Sequence, residues 1–295
     1  MGYLFLLIAL MAGITKGYCG KRTSSYTQNF QDAMFANLIR FLLCTIIGFV
    51  LILATGDLGN LLPTPTMLAI CALSGVATAV FVVSWLVAVK QSAYMMVDVF
   101  ITISVLIPLI GSNVFFGESI KLTQWLGIGI LFVAVFVMCA YNNSIKAKLS
   151  PAMILLMLVF CIASGFADFS QKLFIKLIPN GSVAIFNFYT YIFAALVLVI
   201  ALTVSKQKGV APCASNTKKI FGYILIMALC LFINTYFKTL AASQLSAVIL
   251  YPLNQGCALI LSSVMCAVLF KEKITTKAII GIGIAFAGML IINLL

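Results

Sequence analysis

Apolar positions in this chain fall into long unbroken runs, and polar positions fall into short clusters between them. The runs are continuous rather than alternating, so they read as helices and not as the period-two strands of a transmembrane barrel. About 20 apolar residues cross the hydrocarbon core of a bilayer. The pattern predicts ten such segments: Met1 to Tyr18, Ala33 to Ala54, Met67 to Val89, Ala93 to Val114, Leu122 to Tyr141, Ala152 to Phe174, Val183 to Val204, Ile220 to Leu240, Ser246 to Phe270 and Ala278 to Leu295. Backbone in lipid must satisfy its own hydrogen bonds, so each segment is expected to be helical. Asn142 to Pro151 reads as a polar linker, and the longest loop, Ser205 to Lys219, is too short for a domain. The expected fold class is therefore an all-α polytopic membrane protein.

Composition supports this. The 295 residues are 64% hydrophobic and 8% charged, with a mean hydropathy of +1.21, whereas an average chain carries roughly 25% charged residues. Too little polar surface exists to coat a water-soluble globule. The net charge of +12 comes from cations dispersed over short loops, the ordinary mark of membrane flanks, so no nucleic-acid partner is expected. Most of the nine cysteines lie in apolar runs with no CxxC pair, as small hydrophobes and not as a metal or disulfide framework. Met1 to Met11 lacks a basic n-region, which favours a first spanning helix over a cleaved signal.

An internal repeat organises the segments. At an offset of 154, Ser92-Ala93 matches Ser246-Ala247, and Phe116, Glu118 and Ile120 match Phe270, Glu272 and Ile274. Gly127-Ile128-Gly129-Ile130 followed by Phe132 matches Gly281-Ile282-Gly283-Ile284 followed by Phe286. Hydrophobic similarity alone does not readily place an acid and a Gly-x-Gly at one spacing twice. A fainter likeness at offset 151 sets Phe35 and Arg40 beside Phe186 and Tyr191. The expected units are residues 1–145 and 146–295. Each holds five segments, an odd number, so the second enters the membrane from the opposite side, the inverted-repeat plan of many secondary transporters.

The runs SAYMMVDVFITISVLIPLIGSNVFFGESIKLTQWLGIGILFVAVF and SAVILYPLNQGCALILSSVMCAVLFKEKITTKAIIGIGIAFAGMLI resemble the two EamA repeats of the drug/metabolite transporter superfamily. Lys16 after the first segment and Arg40 in FANLIRFLL are similar to that family's first helix pair. The resemblance implies a ten-helix transporter with a central cavity, for a substrate drawn from amino acids, nucleotide sugars, quaternary amines or drugs. One departure stands out: the family usually has Pro early in the fourth helix of a repeat, and the second half keeps Pro252 where the first has Asp98.

The odd-numbered loops hold twelve Lys and Arg, counting Lys21, Arg22, Lys90 and Lys271, against Lys121, Lys172, Lys176 and Lys238 in the even-numbered ones. By the positive-inside rule both termini face outward, whereas the resemblance implies termini inside; the bias of twelve to four favours the charge reading.

A charge inside a span costs roughly 2.5–3.5 kcal/mol on insertion scales, so Lys16, Arg40, Asp98, Asp168 and Lys172 are the candidates. Asp98 suits a cationic substrate group or a coupling proton, or pairs with Arg40 or Lys16 to lock helices together. Asp168 and Lys172, four apart, share a helix face and read as a local ion pair, with proton or ion coupling the alternative for Asp168. Glu118 and Glu272 are expected to cap or brace the helix that follows each. Buried amides and phenols need partners. Tyr251, Asn254 and Gln255 beside Pro252, with Tyr94, Trp85 and Asn234, are therefore expected to line a pocket, with Tyr236, Asn187, Tyr189 and Tyr191 as further walls. Gly127, Gly129, Gly281 and Gly283 allow close helix approach, either within the chain or at a homodimer contact through segments 5 and 10.

No His occurs and no GxxxxGK[ST] loop appears, which removes His-based catalysis, HExxH zinc sites and direct ATP hydrolysis. The expectation is a non-enzymatic protein without cofactors in the cell membrane. It would be a secondary transporter of a small organic metabolite, an exporter among the options. A cation efflux pump, or a non-transporting subunit that kept the fold, are the alternatives.

Overall fold

The computed structural model describes residues 1–92, 94–145, 150–207, 219–271 and 275–294, without the side chains of residues 60, 142–145, 207, 293 and 294. Residues 146–149 of the linker, most of the Ser205 to Lys219 loop with Cys213, and Glu272 with Ile274 lie outside the described residues. Ten long helices follow in order: α1 Gly2–Ser24, α2 Phe30–Thr55, α3 Pro65–Gln91, α4 Tyr94–Phe116, α5 Leu122–Ile145, α6 Pro151–Leu177, α7 Val183–Gln207, α8 Phe221–Gln244, α9 Ala247–Leu269 and α10 Thr276–Leu294. Among the described residues, α1 to α9 are long and apolar enough to cross a membrane, and α10 is a shorter apolar helix. The chain is an all-α polytopic membrane protein.

Most helices outrun the apolar segments because polar residues serve as their ends. Hydropathy bounds the first segment at Tyr18, yet α1 continues to Ser24 with Lys21 and Arg22 in its last turn, where cations offset the helix dipole. Asp32 accepts from Gln28 N–H (2.8 Å) and Asn29 N–H (3.3 Å) and starts α2 three residues ahead of the apolar run. Thr64 and Ser150 accept from Met67 and Met153 N–H, each before a Pro at the first helical position of α3 and α6, a favoured N-terminal arrangement.

The fourth span is interrupted. A short 3₁₀ turn at Ile103–Val105 divides α4, a feature absent from the expectation. Pro108 explains it: it has no N–H to give to the carbonyl of Ser104 four residues earlier. That carbonyl points at Gly165 of α6, where an added Cβ would lie 2.6 Å from it. In α9 the internal Pro252 leaves the helix continuous.

The packing is two-fold in pattern. α1 packs on α8 as α6 packs on α3, α4 packs on α5 as α9 packs on α10, and the pairs α2–α7, α4–α9 and α5–α10 meet across the midline. Matching α1 to α5 with α6 to α10 turns every one of these contacts into another or into itself. Two inverted five-helix repeats are thus built into one bundle. The α5–α10 contact is intramolecular: a Cβ at Gly127 would lie 2.7 Å from Gly288 O, and one at Gly281 would lie 2.5 Å from Met138 Sδ. Gly129 and Gly283 have open space over their Cβ positions. Buried thiols act as small interhelical donors, Cys44 to Ala228 O (3.3 Å) and Cys161 to Phe100 O (3.0 Å).

Candidate functional site

A central cavity of about 150 Å³, measured as room for the centres of water-sized molecules, runs between α1, α3, α4, α6, α7, α8 and α9, with Arg40 contributed by α2. Residues of α5 and α10 take no part in its wall. Thr78 and Ser164 line it and stand thirteen residues from either end of α3 and α6, so the cavity sits at mid-depth. Its wall is mixed. Leu10, Ile14, Phe81, Val82, Phe186 and Leu259 supply apolar surface, while Ser74, Thr78, Gln171, Asn187, Asn234, Thr235, Asn254 and Gln255 supply polar groups. Gly17 and Gly20 let aromatic side chains approach α1. A Cβ at Gly17 would fall on the Tyr94 hydroxyl, and one at Gly20 would lie 2.5 Å from the Trp85 ring. Trp85 and Tyr94 meet edge to face with centroids 5.9 Å apart.

Among the described residues, five charged side chains reach this cavity: Lys16, Arg40, Asp98, Asp168 and Lys238. Asp168 and Lys238 form a buried ion pair between α6 and α8, and the Asp168 carbonyl accepts from the Tyr251 hydroxyl at 2.8 Å. Asn234 donates to Ala9 O at 2.6 Å and ties α8 to α1. Arg40 is 2% exposed. Its Nη1 donates to Asn37 Oδ1 at 3.2 Å, and Asn37 in turn donates to Ala33 O. Arg40 Nε and Nη2 have no partner among the described residues. Neither Arg40 nor Lys16 has a carboxylate within ion-pair distance among the described residues, so the expected lock of either onto Asp98 is not formed.

A mid-membrane polar cavity between two inverted five-helix halves invites comparison with known carriers. The model of the EamA-like transporter family matches residues 1–140 and again residues 151–294. This chain belongs to the EamA-like transporter family. A crystal structure described only as that of a protein has the same fold: it superposes with a TM-score of 0.69 over 99% of this chain and 97% of its own, at 14% identity. No curated protein matches.

In this EamA-like protein the cavity gathers most of the residues singled out from sequence. Trp85, Tyr94, Asp98, Asp168, Asn187, Asn234, Asn254, Gln255, Lys16 and Arg40 all line it. Tyr251 does not: it is fully buried, with its hydroxyl on Asp168 O. Tyr191 pairs with Thr235 Oγ1, Tyr189 donates to Leu61 O at 2.8 Å, and Tyr236 stacks on Phe232. The Tyr189 and Tyr191 hydroxyls are thus bonded within the fold, and Tyr236 is placed by ring packing, none of the three on the cavity wall. The expected Asp168–Lys172 pair is also replaced, because Asp168 is committed to Lys238 and Lys172 to Glu118. Lys238 is the site residue that the charge pattern hides when it is counted among loop cations. Its place within the run Ile220 to Leu240 marks it as an intramembrane charge. Gln171, one turn beyond Asp168, is another addition, with the hydroxyls of Ser74, Thr78 and Thr235.

Lys172 and Glu118 belong to a junction at the membrane face that carries the termini. Gly117, with φ 66°, ends α4 in the left-handed region that glycine tolerates. The turn delivers Glu118 to the start of α9, where Oε2 accepts from Ala247 N–H at 3.1 Å. Oε1 faces Lys172 at 3.3 Å and Lys176 at 3.7 Å. Glu118 therefore caps the repeat-related helix of the other half, and not α5 as expected. Lys172 also donates to Leu245 O (3.0 Å) at the end of α8. At offset 151, Lys21 of α1 donates to Val89 O (3.2 Å) at the end of α3. In both halves the lysine of the first helix closes the last turn of the third.

Proposed function

We propose that this protein is a secondary carrier that moves a small polar organic solute across the cell membrane by alternating access, its two inverted halves rocking about the mid-depth cavity. One observation carries the reading: a cavity at the centre of the bundle is lined by charged and amide side chains, and Arg40 Nε and Nη2, Gln171 Oε1 and Asn254 Oδ1 on its wall have no partner among the described residues. Polar groups in a bilayer are costly and mark solute or ion pathways. A subunit that merely kept the fold has no need of such a wall, and apolar side chains would fill it more stably. With no nucleotide-binding loop in the sequence, the work comes from a solute gradient, exchange or ion coupling. A homodimer through α5 and α10 would use Gly129 and Gly283, since Gly127 and Gly281 are occupied within the chain.

Counterflow into proteoliposomes tests the proposal. Preloaded liposomes containing the protein should accumulate labelled solute from at least one of four classes: organic anions, amines, zwitterions or polyols. Absence of flux for all four, together with stability that depends on a co-purified partner, supports the subunit reading instead.

A further inference from the structure

We infer that the cavity selects solutes with an anionic head, a carboxylate or phosphate group, and that Arg40 with Lys16 receives it. This deepens the carrier reading and rests on it for transport, though not for binding.

The balance of charge comes first. Lys238 neutralises Asp168 within the wall. What remains facing the cavity is Lys16 and Arg40 on the α1–α2 side and the single carboxylate of Asp98 on α4. Two basic groups face one acidic group, and neither basic group has a carboxylate within ion-pair distance among the described residues, so the side of the cavity at Arg40 is basic in a medium of low dielectric. There a charge is expensive unless compensated, and a solute bearing a negative head supplies the compensation. A simple cation would find no offsetting carboxylate on the Arg40 side.

Donor geometry points the same way. Asn37 holds one limb of the Arg40 fork through Nη1, and its own amide nitrogen is tied to Ala33 O. That leaves Nε and Nη2 of the same planar group buried and unpartnered among the described residues. Two adjacent N–H donors on one guanidinium edge match the paired oxygens of a carboxylate or phosphate. Gln171 and Asn254, also on the wall, present amide oxygens without partners among the described residues. They suit hydroxyl, amide or ammonium donors on the body of the solute. A cavity of about 150 Å³ keeps the solute small.

The test uses the full chain in detergent and in proteoliposomes, with four probe sets: short carboxylates, phosphate monoesters, quaternary amines and neutral polyols. Carboxylates or phosphate esters should raise the melting temperature of the wild type, and the other two sets should not. Arg40→Gln should weaken anion binding by roughly thirtyfold or more, as when one partner of a buried charge pair is removed. Arg40→Lys, which keeps the charge and loses the fork, should fall between. Lys16→Gln, at a less buried position, gives a second variant should Arg40→Gln melt too low to assay. Preference between carboxylate and phosphate separates two sources of one chemistry. Amines or polyols that bind and move while both anion sets stay inert would overturn the inference and leave the carrier reading intact. Anion binding lost in Arg40→Gln, with no flux of any solute, would sustain the inference and sink the carrier reading.

Discussion

Asp168 and Lys238 show how one buried contact serves both stability and the site. Their side chains are 6% and 10% exposed, so removal of one charge strands the other in an apolar surround. Asp168→Asn is expected to destabilise the protein by about 3–5 kcal/mol. The double variant Asp168→Asn with Lys238→Met should recover much of that loss, because neither charge then needs compensation. Thermal melts in detergent check both, and a double variant no better than the single one would show that the ion pair itself holds α6 to α8. Of the five intramembrane charges, Lys16, Arg40, Asp98 and Asp168 were legible as cavity-lining residues from their cost in lipid alone, and Lys172 stands off the wall. Their pairing was not, because an i, i+4 spacing fixes only a shared helix face. The partner of Asp168 lies seventy residues away, a choice made by helix packing. Tyr251 misses the wall for a related reason: it finds its acceptor on Asp168 O, and no sequence spacing records that.

Single elements reveal where the two repeats diverge. Gly117 ends α4 with φ 66°, and the residue 154 positions later, Lys271, has φ 51° after α9. A side chain in that left-handed region costs roughly 1–2 kcal/mol, which glycine avoids while losing more freedom on folding. Lys271→Gly is therefore expected to stabilise by about 0.5–1 kcal/mol, read as a higher melting temperature, and no change or a lower one would contradict the strain at Lys271. Glu118 is the reverse case, where an element depends on a charge. In Glu118→Gln the amide still accepts from Ala247 N–H, but Lys172, 3% exposed, loses its carboxylate. A loss of about 1.5–3 kcal/mol is expected, as for hydrogen bonds to charged groups, and Glu118→Asp should keep part of it. Periodicity placed all ten helices because apolar length is a local property. It missed the turn that divides α4, which depends on Pro108, Ser104 O and the close approach of Gly165 from another helix.

For the whole molecule the open question is which face meets the cytoplasm, and the structure alters the tally behind it. Lys172 and Lys238 lie inside α6 and α8 with their side chains buried, so they no longer count as cations of the even-numbered loops. Lys121 and Lys176 remain on the face that carries the termini. On the opposite face Lys21, Arg22, Lys90, Lys206 and Lys271 stand at or beside helix ends. Those cations also have local work: Lys90 donates to Thr27 O and Gln28 O, and Arg22 lies over the rings of Tyr18 and Phe270 at 5.5 Å and 5.3 Å. Structural employment explains why individual lysines stand where they do, but not why nearly all stand on one side. Retention of short cationic loops on the cytoplasmic side does explain it. Both termini are accordingly proposed to face outward. A pair of reporters fused in turn after Leu295, one active only outside the cytoplasm and one only within, checks this. Activity of the outer reporter is expected, and activity of the inner one alone would reverse the orientation. A dual-topology insertion would activate both. The bias makes that outcome hard to reach, because moving Lys121 and Lys176 inward would require carrying the more cationic face out.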